Sequence, residues 1–547
     1  MRYIMLLLSL CTCLALGAGL APVNPALVDY YATPEPLRSA RYGDYIPEHN
    51  LDYAQPSDPA KSQPTLPAVY DLRQTRFLSP IRNQGYTSAC WCFSACAAVE
   101  SNWRQRGFGE YDLSENNIYY GHGYVGLHTG GNRYMSTTYF MRGAGPVLES
   151  QDPFQFDIGE YHSGITPIAY VTEAVWLPQN VDVNEIKQCI MDYGALDVAM
   201  NFSDAYFNTT DNTYYFPGYA GADINHLVNL VGWDDGISTA GGRGAWIVRN
   251  CWGTDWGDEG YFYVSYRDYL INRFPAYWNK SETYDSQRKI LQYDEVGYIG
   301  DWGLGSDTAY SLIKYTIPAG SRLDMLGSYT TSSPTIMHYQ LFSNFDGIHL
   351  SGLLAETEPD TLKYHGFYTT TLAEPLFFPQ ETRIYVQQKF HSPNYMYPLA
   401  VEYYWQGSAT PPIAADVAWL SSNGTDGNWQ AVGAGTSSPI DLCTKLYITT
   451  SSHSDDMVQA PADIQLFPNP VKAGMPINIK LPQAELTSVE IYNLRGQLVT
   501  RYNSGTKAEQ HTLQAMDRTG NRLASGIYLC RISNKAGCST HKLCVLN

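Results

Sequence analysis

The apolar residues of this chain change their pattern near Lys280, and that change limits what the chain can fold into. From Val69 to about Ala276, helical and strand patterns mix. Cys92, Ala95, Cys96, Val99 and Trp103 recur at helical spacing, so a buried helix is predicted around Cys90, ended by Gly107 and Gly109. Ala245 to Arg249 and Tyr261 to Tyr266 read as strands. From Lys280 onward, short runs such as Leu312 to Ile317, Ile384 to Val386 and Leu399 to Tyr404 alternate with Gly, Pro, Ser and Thr turns. Short strands at regular spacing predict an all-β sandwich. The same pattern returns on a smaller scale after about Val458, in Ile477 to Ile479, Val489 to Tyr492 and Ile527 to Leu529. A chain of 547 residues exceeds one core and should hold about three domains. The expectation is an α+β domain, an all-β sandwich and a small C-terminal β-sandwich.

The N-terminal stretch is of a different kind. Met1-Arg2, an apolar run from Ile4 to Leu16, and small residues at Ala15, Gly17, Ala18 and Gly19 read as a signal peptide over residues 1–19. The run is shorter than the roughly 20 residues that span a bilayer, and no later stretch is long and apolar enough to do so. Residues 20–66 are rich in Pro, Ala and Ser, show no long amphipathic helix, and read as a loose leader or short propeptide. The net charge of −18 excludes nucleic acid as a partner, because basic surface is needed to displace its counterions. With Cys11 and Cys13 lost in the signal, nine of the 11 cysteines remain, an odd number that leaves at least one free thiol in an exported chain. No Cys or His pair has the spacing of zinc ligands, so neither a metal nor another cofactor is expected.

The chemistry lies between residues 84 and 256. Cys90 stands at the start of the predicted helix, where unsatisfied N–H groups and the helix dipole favour a thiolate. His226 precedes the apolar run Leu227 to Gly232, which reads as a buried strand, and an imidazole there can pair with the thiolate as imidazolium. Asn250 ends another strand and can accept a hydrogen bond from the histidine, fixing its tautomer and ring plane. The Gln84 amide can donate to an oxyanion beside the Cys90 N–H.

These segments resemble the papain family of cysteine peptidases. Asn83-Gln84-Gly85 through Ser94 is similar to its nucleophile segment, Leu113-Ser114-Glu115-Asn116 to its turn into the next helix, and Asn250-Cys251-Trp252-Gly253 through Tyr261 to its asparagine segment. The order Gln, Cys, His, Asn is kept. The Cys90–His226 separation, 226 − 90 = 136, falls within the family's about 130–150 residues, while Asn250 lies 250 − 90 = 160 from Cys90. The Gly-rich stretch Gly236 to Gly244 is expected to supply an extra loop. Thr87, Ser88, Cys92 and Cys251 depart from the family pattern without removing a catalytic group. The resemblance implies a two-lobed papain-like domain over residues 67–279, catalytic Cys90, His226, Asn250 and Gln84, and a substrate-binding glycine pair at Gly130 and Gly131. It also implies that Trp252 shields the His–Asn bond and binds substrate on the leaving-group side.

Residues 280–455 resemble the lectin-like β-sandwich that follows bacterial papain-like domains, which implies surface glycans as partners or a stabilising or spacing role. Leu466-Phe467-Pro468-Asn469-Pro470, Val489 to Gln497 and Leu523 to Tyr528 resemble the C-terminal sorting domain of type IX secretion, placed at 456–547. That resemblance implies the type IX machinery as partner and the surface or medium of a Bacteroidota-like bacterium. Two functions follow: a secreted cysteine endopeptidase acting on protein or peptide substrates through an acyl-enzyme, or a surface adhesin or glycan-binding protein with a non-catalytic papain-like scaffold. The intact Gln–Cys–His–Asn set favours the first.

Overall fold

A computed structural model describes residues 18–48, 66–124, 130–156, 159–179, 181–219, 223–405, 409–450, 465–485, 487–493, 498–534 and 537–546. Most of the expected signal peptide, residues 49–65 of the expected leader and residues 494–497 of the expected sorting segment lie outside the described residues. Backbone contacts divide the chain into two compact units, residues 1–318, 322–377 and 381–449 in the first, and 319–321, 378–380 and 450–547 in the second. Among the described residues, no helix is long and apolar enough to cross a membrane.

The first unit is built on the helix Cys90–Arg106, whose residues from Cys90 to Trp103 are all buried. It ends at Gly107, whose φ of 70° suits the left-handed cap that terminates helices. Ser94 Oγ donates to the Val228 carbonyl at 2.9 Å, and Asn229 Nδ2 donates to the Ser94 carbonyl at 2.9 Å. These bonds fasten the start of the helix to the strand His226–Thr239. That strand lies between Leu196–Met200 and Gly242–Arg249, and Tyr261–Ser265 follows. The Gly-rich stretch at 236–244 is not the expected loop. Ser238 pairs with Arg243 and Thr239 with Gly242, so most of the added residues extend a hairpin across a register shift between Asp234 and Ser238.

The peptidase-like and sandwich regions were expected as separate domains, yet they share one sheet. Ala174–Trp176 pairs on one side with Ala276–Trp278 and on the other with His365–Phe367 of the strand His365–Phe378. Beyond it, a second sheet carries the strands Leu350–Glu356, Thr335–Phe345, Thr382–His391, Thr308–Ile317, Ala418–Ser421 and Gln430–Val432 in that order. The alternating burial of Thr335–Phe345 places Met337, Tyr339 and Leu341 on one buried face, as expected of a sandwich strand.

The second unit is a small β-sandwich. Gln465–Phe467, Pro476–Glu485 and Ala508–Gln514 form one sheet. Val471–Lys472, Gly537–Leu546, Gly526–Asn534, Thr487–Asn493 and Leu498–Asn503 form the other. Ile477, Ile479, Val489, Ile491, Ile532 and Leu543 fill its core.

The described part of the leader, residues 20–48, is ordered rather than loose. Asn24 caps the helix Pro25–Ala32 through the Ala26 N–H, with proline at the first position, where no N–H is needed. A second helix, Glu35–Tyr42, follows. Arg38 Nε donates to the carbonyls of Tyr30 at 3.1 Å and Thr33 at 3.0 Å, which joins the two helices. Leu27, Tyr30, Tyr42, Tyr45 and Ile46 are buried. Ahead of these helices, Ala18–Leu20 pairs with Gly300–Leu304 of the sandwich region.

Candidate active site

Three separate elements carry the thiol and its partners. Cys90 opens its helix, His226 opens its strand, and Asn250 directly follows Gly242–Arg249. The Cys90 Sγ, a His226 ring nitrogen and an Asp44 carboxylate oxygen lie within 4.8 Å of one another. His226 Nε2 is 2.8 Å from Asn250 Oδ1. The Cys251 N–H also donates to Oδ1, at 2.8 Å, which identifies that atom as the carbonyl oxygen. Nε2 therefore carries the proton, and Nδ1 is the nitrogen left for the thiol. Trp252 stacks on the imidazole with centroids 4.6 Å apart and 23° between planes. Phe202 and Trp256 meet Trp252 edge-on at 4.8 and 5.0 Å, and this aromatic wall covers the His226–Asn250 bond.

Gln84 is buried and fully engaged. Its Nε2 donates to the Thr87 carbonyl at 2.5 Å and to Asp44 Oδ2 at 3.0 Å, and its Oε1 faces Cys251 Sγ at 2.8 Å. Thus Cys251, although a departure from the family pattern, supplies a donor that orients the amide. The Gly131 N–H donates to the Asp44 carbonyl, and the Ile46 N–H donates to the Gly131 carbonyl, each at 3.1 Å. A side chain on Gly130 would meet the Asp44 carbonyl oxygen at 2.6 Å, and one on Gly131 would meet the Trp91 ring at 2.3 Å. Only glycines allow the leader backbone this approach.

Gln84, Cys90, His226, Gly130 and Gly131 therefore gather around Asp44, with Asn250 and Trp252 against the His226 ring. Asp44 was missed by sequence reasoning, because the leader has no motif and a lone aspartate in a polar stretch carries no signal. Its neighbours hold it firmly. The Asp44 N–H donates to the Asn225 carbonyl at 3.0 Å, and Asn132 Nδ2 donates to the Ile46 carbonyl at 3.0 Å. Glu48, at the end of the described leader, pairs with buried Arg133 at 2.8 Å.

The electrostatics are those of a covered site. Burial, then the nearby Asp44 carboxylate, raises the Cys90 thiol well above its ordinary 9.0. Burial lowers the His226 imidazole below its ordinary 6.5, opposed by the Asn250 hydrogen bond and by Asp44. With the leader in place, desolvation disfavours both the thiolate and the imidazolium. The sign of the pH dependence follows. Lifting the leader lets water in, and the uncovered pair then titrates more readily than the covered one. In acid the uncovered pair gains a proton, and in alkali it loses one, while burial opposes both changes in the covered state. The covered state is thus weakened on both sides. Hydrogen-exchange protection of residues 25–46 should be greatest at intermediate pH, and protection that rises steadily into acid would contradict the assignment.

Comparison with known proteins names the class of each part. Residues 66–276 match the papain family cysteine proteases, 290–448 the lectin like domain, and 465–546 the secretion system C-terminal sorting domain. The three matches follow one another along the chain in that order. Procathepsin L of Felis catus is 30% identical over 203 residues, covering 36% of this chain and 60% of its own length. Cathepsin K of Gallus gallus is 28% identical over 200 residues, covering 36% of this chain and 58% of its own. The chain thus spans under two thirds of these curated relatives. The solved cysteine protease and lectin-like domains of Cwp84, a surface layer associated protein of Clostridium difficile, superpose with a TM-score of 0.67 at 21% identity, covering 80% of this chain and 99% of that one. That likeness shows the fold, a papain-like domain followed by a β-rich lectin-like domain.

Proposed function

We propose that this protein is a secreted cysteine endopeptidase made in a latent form. The observation that carries the reading is the placement of His226, held by the Asn250 carbonyl on Nε2 and lying beside the thiol that opens a buried helix. Once the leader leaves, the Cys90 thiolate attacks the scissile carbonyl carbon. The resulting oxyanion sits where the Asp44 carboxylate now accepts from Gln84, with the Cys90 N–H as second donor. His226 as imidazolium protonates the leaving amine, and the C–N bond breaks to leave a thioester. Neutral His226 then takes a proton from water as the water oxygen attacks the thioester carbonyl, and the acid product departs. Gly131 offers an extended substrate the main-chain bonds it now gives the leader.

The test is a thiol-directed activity probe on leader-free protein. Labelling abolished by Cys90→Ala supports the peptidase, and an unlabelled, well-folded protein supports the adhesin instead. Gln84→Ala should lower kcat by about 10²–10³ if the amide is an oxyanion donor. An unchanged kcat in stopped-time peptide assays would remove that role.

We read the domain limits as 67–279, 280–455 and 456–547. The separate core of the second unit supports an export role for it rather than a part in catalysis. Export by type IX machinery, in a host of the Bacteroidota kind, and glycan contact by the lectin-like region belong to this reading. A chain ended near Ser452 should keep full peptidase activity and be retained in the periplasm of its native host. Secretion of the shortened chain at the normal level would refute the sorting role.

A further inference from the structure

We propose that Asp44, Cys90 and His226 form a zinc site that exists only while the leader lies in the cleft. They offer a carboxylate, a thiolate and an imidazole, all donor types that zinc accepts, with the three ligand atoms within 4.8 Å of one another. Spacing along the chain conceals the set, because its members come from the turn after the second leader helix, the start of a helix and the start of a strand.

The surroundings prepare each donor. Asn250 accepts the Nε2–H of His226 at 2.8 Å, which orients the ring and leaves Nδ1 as the ligand nitrogen. A carbonyl on the distal nitrogen is the usual outer partner of a metal-binding histidine. Gln84 Nε2 donates to Asp44 Oδ2 at 3.0 Å, which fixes the carboxylate and leaves Oδ1 for the ion. Trp252 restrains the imidazole plane from its face. Asp44 is partly exposed, whereas Cys90 and His226 are buried, so the ion approaches along the carboxylate. As the Zn–S bond forms, the thiol proton leaves to solvent, and no electron is transferred. Three protein ligands leave a fourth position for water. Calcium and magnesium do not suit the set, since they require several oxygen ligands and only one carboxylate is present.

Such an ion would join the leader to both elements of the reactive pair. A carboxylate that merely fills the oxyanion pocket requires no ion, and the two cases differ in metal binding. The proposal rests on the reading of Cys90 and His226 as the reactive pair for their position, not for turnover. Zinc binding is read on uncleaved protein and peptidase activity on leader-free protein, so the two can fail separately.

The experiment uses the full chain with its leader intact, reduced and metal-free, titrated with zinc against a chromophoric chelator, and with cobalt as an optical probe. One zinc per chain is expected. Asp44→Asn and Cys90→Ala should each weaken it by at least roughly tenfold, and the thiolate-to-cobalt charge-transfer band should vanish in Cys90→Ala. Leader placement in Asp44→Asn is followed by hydrogen-exchange protection of residues 25–46. If that protection is lost, Asp44→His decides, because it replaces the carboxylate by another zinc ligand: retained zinc supports the site and lost zinc overturns it. Absence of bound zinc in the native chain, or unchanged affinity in Asp44→Asn with its leader still protected, also overturns it.

Discussion

Cys90→Ser should fold as the parent does and lose turnover by a factor on the order of 10⁵–10⁶, as when a nucleophile is removed from a coupled catalytic set. The hydroxyl is smaller than the thiol and fits the same fully buried position at the start of Cys90–Arg106. Its defect is chemical. A serine hydroxyl has no comparable anion near neutral pH, and an isolated His226–Asn250 pair holds its imidazole for a thiol that gives up its proton readily once solvated. The helix start and Gln84 stay in place, so substrate affinity should change far less than kcat. Steady-state hydrolysis of a peptide library by leader-free protein, with circular dichroism as the control for folding, measures both. Substantial hydrolysis by the serine variant would end the assignment of Cys90 as nucleophile.

Trp176→Ala should cost about 3–5 kcal/mol of stability, as deletion of a buried indole does. Trp176 is fully buried in the short strand that links the peptidase-like and lectin-like sheets. Tyr134 packs on it at 4.4 Å, Tyr298 and Tyr329 stack at 6.1 Å, and His365 meets it edge-on at 5.4 Å. These rings come from both sides of the junction, so no single side chain can move into the space left behind. Arg133, which lies 5.6 Å from the indole and pairs with Glu48 of the leader, would lose one wall of its site. Denaturant midpoints should fall together for probes in the two regions. A loss below about 1 kcal/mol, within the range of surface substitutions, would mean that the lectin-like region is only a spacer and that the shared sheet carries little of the stability.

Much of the site is legible along the chain because its chemistry sits in contiguous runs. Gln84 through Ser94 and Asn250 through Tyr261 each place a reactive or supporting group against its own turn or helix start, and local sequence governs such geometry. Cys251 is legible as a departure, but its contact with Gln84 Oε1 is not, since 167 residues separate them. The leader is the clearest failure. Its helices have eight residues each, too few to display a period, and they are held by burial of Leu27, Tyr30 and Tyr42 rather than by propensity. Likewise, a three-residue strand such as Ala174–Trp176 has no recognisable alternation, although it joins two regions into one sheet.

The sequence by itself determined the class of each region, the order of Gln84, Cys90, His226 and Asn250, and the position of the thiol at a helix start. Hydrophobic period and short motifs encode these within a few residues of the groups concerned. Only the tertiary structure decided that Asp44 of the leader lies beside Cys90 and His226, that it accepts from Gln84, and that Cys90, His226 and Gln84 are buried there. Those outcomes depend on desolvation and on contacts between residues 44, 90, 131 and 226. Such contacts arise from packing of distant elements, and no local pattern in the chain records them.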